Sequence, residues 1–301
     1  MIDIGSLRSL IAVRDHGSVV AAAAALGYTP SAVSQQIKRL EQQSRVPMLE
    51  RVGRGVILTD KGRLLAERGS RLLADLEEVQ NLALDGQDEL TGEFRLASFS
   101  TACRGVLAPL VARLSRSAPA LTVTFTEHDP RDVVTVVERG GADLGVVHDW
   151  NSVPLDVPPG LVRHHLFHDA ADVLLHRDHP LAGAPCVQAQ QLVDEHWVST
   201  PVGSICHEWL HQMFGQHGAR PDIRYFDASF ATHVALVEQD VAVALVPRLG
   251  RDRLPDRVRA VPVTDPAPMR DVSALWRRAS ADNPVRRHVQ RELEAVVAER
   301  V

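Results

Sequence analysis

The sequence predicts an α/β protein built as a winged helix-turn-helix head, one long helix, and a body of alternating strands and helices. Three observations carry this. Residues 17–62 run through an alanine-rich helix, a short break, a helix with polar residues at its start, and a basic hairpin. That order is the grammar of a module that lays one helix in the DNA major groove. A seven-residue apolar period follows the hairpin, and from Glu93 onward strand-like and helix-like patterns alternate.

Leu7, Leu10, Ile11 and Val13 recur at helical spacing and predict a first helix over 3–16. Gly17-Ser18 is a break followed by an N-cap, opening a second helix through Leu26 that Gly27 ends. Thr29-Pro30-Ser31 opens a third, with proline in its first turn. Val33, Ile37 and Leu40 form its buried stripe, which leaves Ser31 elsewhere and groups Ser34, Gln35 and Lys38 on one outer face. Short polar side chains at a helix start suit base edges and phosphates, and glutamine can bond adenine bidentately. Arg51, Gly53, Arg54 and Gly55 then make a basic turn before Val56-Ile57-Leu58, read as a two-stranded wing over the DNA backbone. A plain helical bundle with a solvated basic loop is the bland alternative.

Thr59-Asp60-Lys61-Gly62 restarts a helix. Leu58, Leu65, Leu72 and Val79 form one line at heptad spacing, with Leu76 and Ala83 a second. Such a seam asks for a partner helix, a surface helix packed on its own body being the alternative. Asp85-Gly86 to Thr91-Gly92 reads as a hinge. Beyond it, FRLASF, LTVTFTE, ADLGVVH, DVLLH, DIRYF and VAVALVP read as strands. VLAPLVARLSR, DVVTVVERG, ICHEWLHQMFGQHG, SFATHVALVEQ and PVRRHVQRELEAVVAER read as helices, an alternation that predicts a mostly parallel sheet.

Composition narrows the function classes. Apolar content of 45% and charged content of 24% are ordinary for a globular chain. No stretch approaches the roughly 20 apolar residues of a membrane span, so no membrane is expected. The start, MIDIGSLRSLIAV, lacks the basic residues and unbroken apolar run of a secretion signal. Cys103, Cys186 and Cys206 show no paired spacing, which fits a cytoplasmic location. The net charge is -5, yet residues 1–62 hold eight lysines and arginines against five acids, making the head +3 and the remainder -8. A basic head on an acidic body suits one DNA-facing module joined to a part that does not face DNA.

Residues 5–67 resemble the DNA-binding domain of LysR-type transcriptional regulators, matching through GSVVAAAAALGYTPSAVSQQIKRLE and LERVGRGVILTDKG. The body resembles the family more loosely, through ADLGVV, HPLA (179–182), HGARPDI and ALVEQDVAVALVP. The resemblance implies that Pro30, Ser31, Ser34 and Gln35 approach the major groove. Ser18, Arg51, Arg54 and Thr59 would then hold phosphates or the minor groove. It implies a head at 1–62, a dimerising linker helix and hinge at 63–90, and an effector domain at 91–301. That domain would consist of two periplasmic-binding-protein-like subdomains, about 91–166 with 265–301 and about 167–264. The implied function is a sequence-specific regulator, not an enzyme, in which a small-molecule effector in the cleft modulates DNA binding or bending. The implied partners are a dyad-symmetric double-stranded DNA operator, the effector, further copies of the chain as a dimer of dimers (a homotetramer), and RNA polymerase. No cofactor and no resident metal are expected.

The chain departs from the family at Ser44-Arg45, where an apolar residue and then glycine are usual. A positive φ there would cost arginine roughly 1 kcal/mol, and an added backbone contact from Arg45 or a changed turn is expected. Asp240 and Ala242 replace two glycines near the last strand, and aspartate tolerates left-handed backbone.

Ligands of α/β sheets bind beyond strand carboxyl ends, beside helix N-termini. The first such junction is Ser98-Phe99-Ser100-Thr101, with Ala102 following; the second is Thr200 to Ser204, including Val202 and Gly203. Glu127-His128-Asp129 and Phe226, Phe230 and His233 are candidates from the opposing strand ends. Each could equally be a cap or core residue, and the acidic and histidine neighbours count against a purely anionic effector.

Two rival chemistries remain. His207-Glu208-Trp209-Leu210-His211 is a literal H-E-x-x-H, with His217 ten residues after His207. On a helix the pair could hold zinc with Glu208 as base, giving a metal-responsive regulator or a zinc hydrolase. Gly215 falls one place late for the longer zincin motif, and with 14 histidines a chance match is ordinary. Cys103 and Cys206 lie near predicted helix N-termini, which lowers a thiol pKa, an ordinary small buried residue being the alternative for all three cysteines. A peroxide-sensing subgroup of the resembling family uses a cysteine in the region of Cys206 and a second a short way on, which this chain lacks.

Overall fold

A computed structural model describes residues 2–52, 55–82 and 90–299, and the chain divides into two units, Met1–Asp85 and Gly86–Val301. In the first unit every helix has the cap that its sequence announces. Asp3 accepts from the Ser6 N–H to start α1 (Ile4–His16), which ends at Gly17 with φ 71°. Ser18 Oγ accepts from Ala21 N–H at 3.1 Å to start α2 (Val19–Leu26). Thr29 Oγ1 accepts from Ala32 N–H, and Pro30 occupies the first turn of α3 (Pro30–Ser44). The core joins Leu10, Val13, Ala22, Val33, Ile37 and Leu40, each large aliphatic side chain contributing roughly 1.5–3 kcal/mol by burial.

Arg45 does take the left-handed conformation, φ 56°. The added Arg45 backbone contact is not among the hydrogen bonds of the described residues. The turn is held instead by Ser44 Oγ, which donates to the Leu40 carbonyl at 2.8 Å, and by Glu41, whose carboxylate accepts from the Met48 and Leu49 N–H groups at 2.8 and 3.2 Å. Those bonds fix the entry to the wing, β1 (Leu49–Val52) paired antiparallel with β2 (Gly55–Leu58). Gly53 and Arg54 of its turn lie outside the described residues.

Helix α4 (Asp60–Leu82) follows at once. Gly62 is required here, because a Cβ would stand 2.3 Å from the Met48 carbonyl oxygen. The heptad seam needs correction. Leu58 is buried in β2 and is not part of the helix, while Leu65 is half-buried against the same head core. The count ran through a strand because β2 ends two residues before α4 begins. Leu72 is 58% exposed. Leu76 is half-buried, while the Val79 side chain and Ala83 lie outside the described residues.

The second unit opens with β3 (Gly92–Ser98), α5 (Ser100–Ala102), a π-helical turn over Cys103–Leu107, and α6 (Ala108–Ser117). β4 (Leu121–Glu127), α7 (Pro130–Glu138), β5 (Leu144–Trp150) and the 16-residue β6 (Leu161–His176) follow. Next come β7 (Val187–Gln188), β8 (His196–Ser199), α8 (Ile205–Gly215), β9 (Asp222–Phe226) and α9 (Phe230–Glu238). β10 (Val243–Pro247), β11 (Val258–Asp265), β12 (Met269–Arg277) and α10 (Pro284–Ala298) complete it.

The strand order is β4-β3-β5-β12-β6-β10-β8-β9, with β11 pairing β6 and β7. The outer trios are parallel, as the alternation predicts, but the centre is not. β12 runs antiparallel to β5 and β6, and β10 and β11 run antiparallel to β6. β6 pairs with β12 as far as Ala170 and with β10 from Ala171, so one strand serves both halves. Asp240 has φ 57° in the turn before β10. Among the described residues no single helix is long and apolar enough to cross a membrane.

Candidate functional site

Two surfaces carry the chemistry, one in each unit. On α3, Pro30, Ser31, Ser34, Gln35 and Lys38 are all exposed, while Val33, Ile37 and Leu40 are at most 2% exposed. Gln36 turns the other way, and Ser9 Oγ donates to its side-chain oxygen. Arg51 is exposed on β1, and Arg54 is outside the described residues. Ser18 and Thr59 both work as caps, but differently. Among the described residues Ser18 Oγ only accepts, which leaves its proton to donate outward. Thr59 Oγ1 accepts from Gly62 N–H and already donates to the Pro47 carbonyl at 2.9 Å, so a phosphate would compete with that bond.

In the second unit the β3–α5 and β8–α8 junctions open onto one cavity of about 480 Å³. Small-molecule sites fall in this size range. Ser100, Thr101, His128, Val202, Gly203 and Ser204 line it. Ala102 lies in the core instead. Phe226 is exposed, its ring 5.8 Å from that of His207, and His233 lines a smaller adjoining cavity of about 20 Å³.

The cavity floor is formed by residues that sequence patterning did not single out. Arg270 on β12 is 1% exposed and pairs with Asp169 on β6, Nη2 to Oδ2 at 2.7 Å. It also donates to Thr101 Oγ1 at 2.8 Å and lies over the Phe99 ring at 5.0 Å. His148 stands beside it, edge-on to Phe99 and Trp150. The available signal was an arginine at an inward position of the alternating strand MRDVSALW.

The cavity walls are bridged by the protein's own charges. Asp129 caps α7 by accepting from Arg131 N–H, and its second oxygen accepts from Ile205 N–H at 3.4 Å, at the start of α8. A helix N-terminus attracts an anion, and Asp129 already supplies one to α8. Burial pushes the Asp129 carboxyl above its ordinary value, even though these N–H groups favour the charged form. Arg131 reaches Glu208 on α8 through two bonds of 2.7 and 2.5 Å and donates to the Gly203 carbonyl at 3.0 Å.

The buried imidazoles give the unit a pH dependence. Burial, with the Arg270 charge adding to it, holds His148 well below 6.5, and burial also depresses His233. The folded state therefore binds fewer protons than the unfolded chain below 6.5. Stability is complete above that value and falls as pH drops beneath it, by up to about 1.4 kcal/mol per pH unit for each such group. Asp129, with its raised pKa, works in the opposite direction once the pH nears the carboxylate range. Urea midpoints at about pH 7.5 and about pH 5.5 should show the loss, and His148→Gln should reduce it. A midpoint that rises on acidification to that pH would contradict the assignment.

Neither rival chemistry is assembled. Glu208, the base of H-E-x-x-H, is clamped by Arg131, whose hydrogen bonds hold its carboxyl below the usual value. His207 and His211 rings lie 4.7 Å apart, but among the described residues His217 is not gathered with them into a three-ligand cluster. His217 lies against Gln190. The Cys103 and Cys206 thiols follow the buried alternative, not activation by a helix N-terminus. Burial pushes Cys103 up to about 12 and Cys206 up to about 11. Desolvation outweighs the helix N-termini and, at Cys206, the nearby Arg270 charge.

Comparison with known proteins places both units. A model described as bacterial regulatory helix-turn-helix protein, lysR family, matches residues 4–63, and the LysR substrate binding domain matches residues 87–298. The chain is 30% identical over 285 residues to the small neutral protease regulatory protein of Streptomyces coelicolor, covering 93% of this chain and 84% of that one. It is 24% identical over 311 residues to the hydrogen peroxide-inducible genes activator of Dickeya chrysanthemi, covering 99% of each. In fold it is similar to full-length OxyR from Pseudomonas aeruginosa, with TM-score 0.75, 19% identity, and 99% and 98% of the two chains covered. It is likewise similar to CbnR complexed with its target DNA, with TM-score 0.64, 19% identity, and 98% and 99% covered.

Proposed function

The chain belongs to the LysR family of bacterial transcriptional regulators, DNA-binding proteins with an effector-binding domain, and on that premise we propose how its residues divide the work. Residues 1–62 read a dyad-symmetric operator, with Ser31, Ser34 and Gln35 of α3 at base edges and Lys38, Arg51 and Arg54 at phosphates. Residues 63–90 pair copies of the chain, Leu72 contributing to the seam, and two such pairs form a tetramer that engages RNA polymerase. Residues 91–301 take a small-molecule effector between their two subdomains. The observation that carries this reading is the convergence of two strand–helix junctions on a single cavity.

The lining also supports a class of effector. Both guanidinium groups of the cavity, Arg131 and Arg270, are committed to Glu208 and Asp169. Asp129 occupies the anion position at α8, and Glu127 and Asp132 add further carboxylates to the lining. The preferred ligand is therefore a cation or a neutral molecule rich in hydrogen-bond donors, not a carboxylate. Thermal-shift measurements on the full-length protein against small amines, polyols and carboxylates test this. Stabilisation by an amine or polyol, lost in Ser204→Ala or Thr101→Val, is expected; stabilisation by carboxylates alone would overturn it.

The thiol chemistry of this chain does not favour the peroxide response named for the Dickeya relative. A thiol held near 11 is scarcely ionised at neutral pH, and the thiolate is the reactive form.

A further inference from the structure

We propose that His165, His168 and Asp271 form a binding site for a divalent transition-metal cation of the zinc type, on the sheet face opposite the cavity. Residues three apart on a regular strand point to opposite faces. β6 escapes this rule through a bulge. Its pairing with β12 runs Phe167↔Val272 and then His165↔Ser273, so Leu166 is an extra residue. The bulge turns His165 to the face that His168 shares with Asp271, its cross-strand partner.

The result is a convergent donor set. His165 Nδ1 is 2.6 Å and His168 Nδ1 3.3 Å from Asp271 Oδ1, and the imidazole rings stand 4.7 Å apart. One ligand atom from each residue falls within 4.8 Å of the others. Asp271 Oδ1 is closed to solvent yet has no well-directed hydrogen bond, despite the two nitrogens beside it. In its neutral form each imidazole can carry its proton on Nε2 and offer the Nδ1 lone pair beside this oxygen. Two neutral imidazoles and one carboxylate suit zinc and its neighbours rather than calcium or magnesium, which favour oxygen ligands. The histidine side chains are 49% and 66% exposed, which leaves room for water as a fourth ligand. Asp149, across from Asp271 on β5, is held by Arg163 through two bonds and is not needed. An ion here clips β6 to β12 one residue from Arg270.

The test uses the full-length protein, stripped with chelator and titrated with cobalt(II), then zinc. The expected result is the visible ligand-field spectrum of low-coordinate cobalt, saturating near one equivalent per chain and displaced by zinc. Loss of even an outer-sphere partner weakens metal sites by roughly 10–100-fold, so His165→Asn, His168→Asn and Asp271→Asn should each do at least that. Both histidines are exposed, so their variants keep the fold, and chelated samples should melt as wild type does. His211→Gln and His217→Gln should leave the titration unchanged. Absence of the spectrum, its survival in the His165→Asn/His168→Asn pair, or its loss in His211→Gln would each overturn the proposal.

Discussion

Replacing Arg270 by alanine is expected to cost the C-terminal unit roughly 3–5 kcal/mol, because it strands a buried charge. Asp169 is 8% exposed, and among the described residues its other oxygen accepts from Leu249 N–H at 3.1 Å. Without the guanidinium, Asp169 must stay ionised in a poorly hydrated place or take up a proton, and Thr101 Oγ1 loses its donor. The variant also removes the side chain lying over Phe99 and leaves a void. Set against a typical total of about 5–15 kcal/mol, this is a large fraction, read as a drop in urea midpoint. Pairing Arg270→Met with Asp169→Asn should recover much of the loss, since removing both charges removes the stranded one. If Arg270→Ala costs less than about 1 kcal/mol, the pair is not the floor on which the cavity rests.

Gln35→Ala should erase base discrimination worth roughly 1–3 kcal/mol, about 5- to 150-fold in affinity for the preferred operator, with little change on scrambled DNA. Lys38→Ala should weaken both duplexes alike and lower the salt slope by about one unit. The difference follows from chemistry: an amide matches the donor and acceptor of one base edge, whereas an ammonium meets a phosphate of any sequence. Gln36→Ala is the internal control. Its side chain is tied to Ser9, so it should alter stability and leave discrimination intact. Equal losses on both duplexes from Gln35→Ala would remove that residue from the base-reading face.

The head was readable because its signals are local. Ser18, Gly27, Thr29 and Pro30 each govern a helix end within three residues of themselves, and the alternation of Val33, Ile37 and Leu40 with Ser34, Gln35 and Lys38 orients α3. The two strand–helix junctions were readable for the same reason. The cavity floor was not. Asp169 and Arg270 are brought together by strand register, which composition does not encode. β6 is legible only at DVLLH because LVRHHLFH groups its apolar and polar residues in blocks, without the alternation that marks a strand, and a bulge breaks its period. The choice between the two readings of the thiols was not legible, because proximity to a helix N-terminus is visible in sequence, whereas the burial that outweighs it is a property of packing. The first seam position, Leu58, belongs to β2 and not to α4, a boundary that a seven-residue count does not see.

The central claim is that this chain recognises a particular DNA sequence through α3. Fluorescence-polarisation binding of the full-length protein to the DNA upstream of its own coding sequence, against a scrambled duplex and across a salt series, tests it most directly. The expected result is tighter binding to the upstream duplex, weakening steeply with salt, with the preference abolished in Gln35→Ala. Binding that is equal on both duplexes, or a preference that survives Gln35→Ala and Ser34→Ala together, would contradict it.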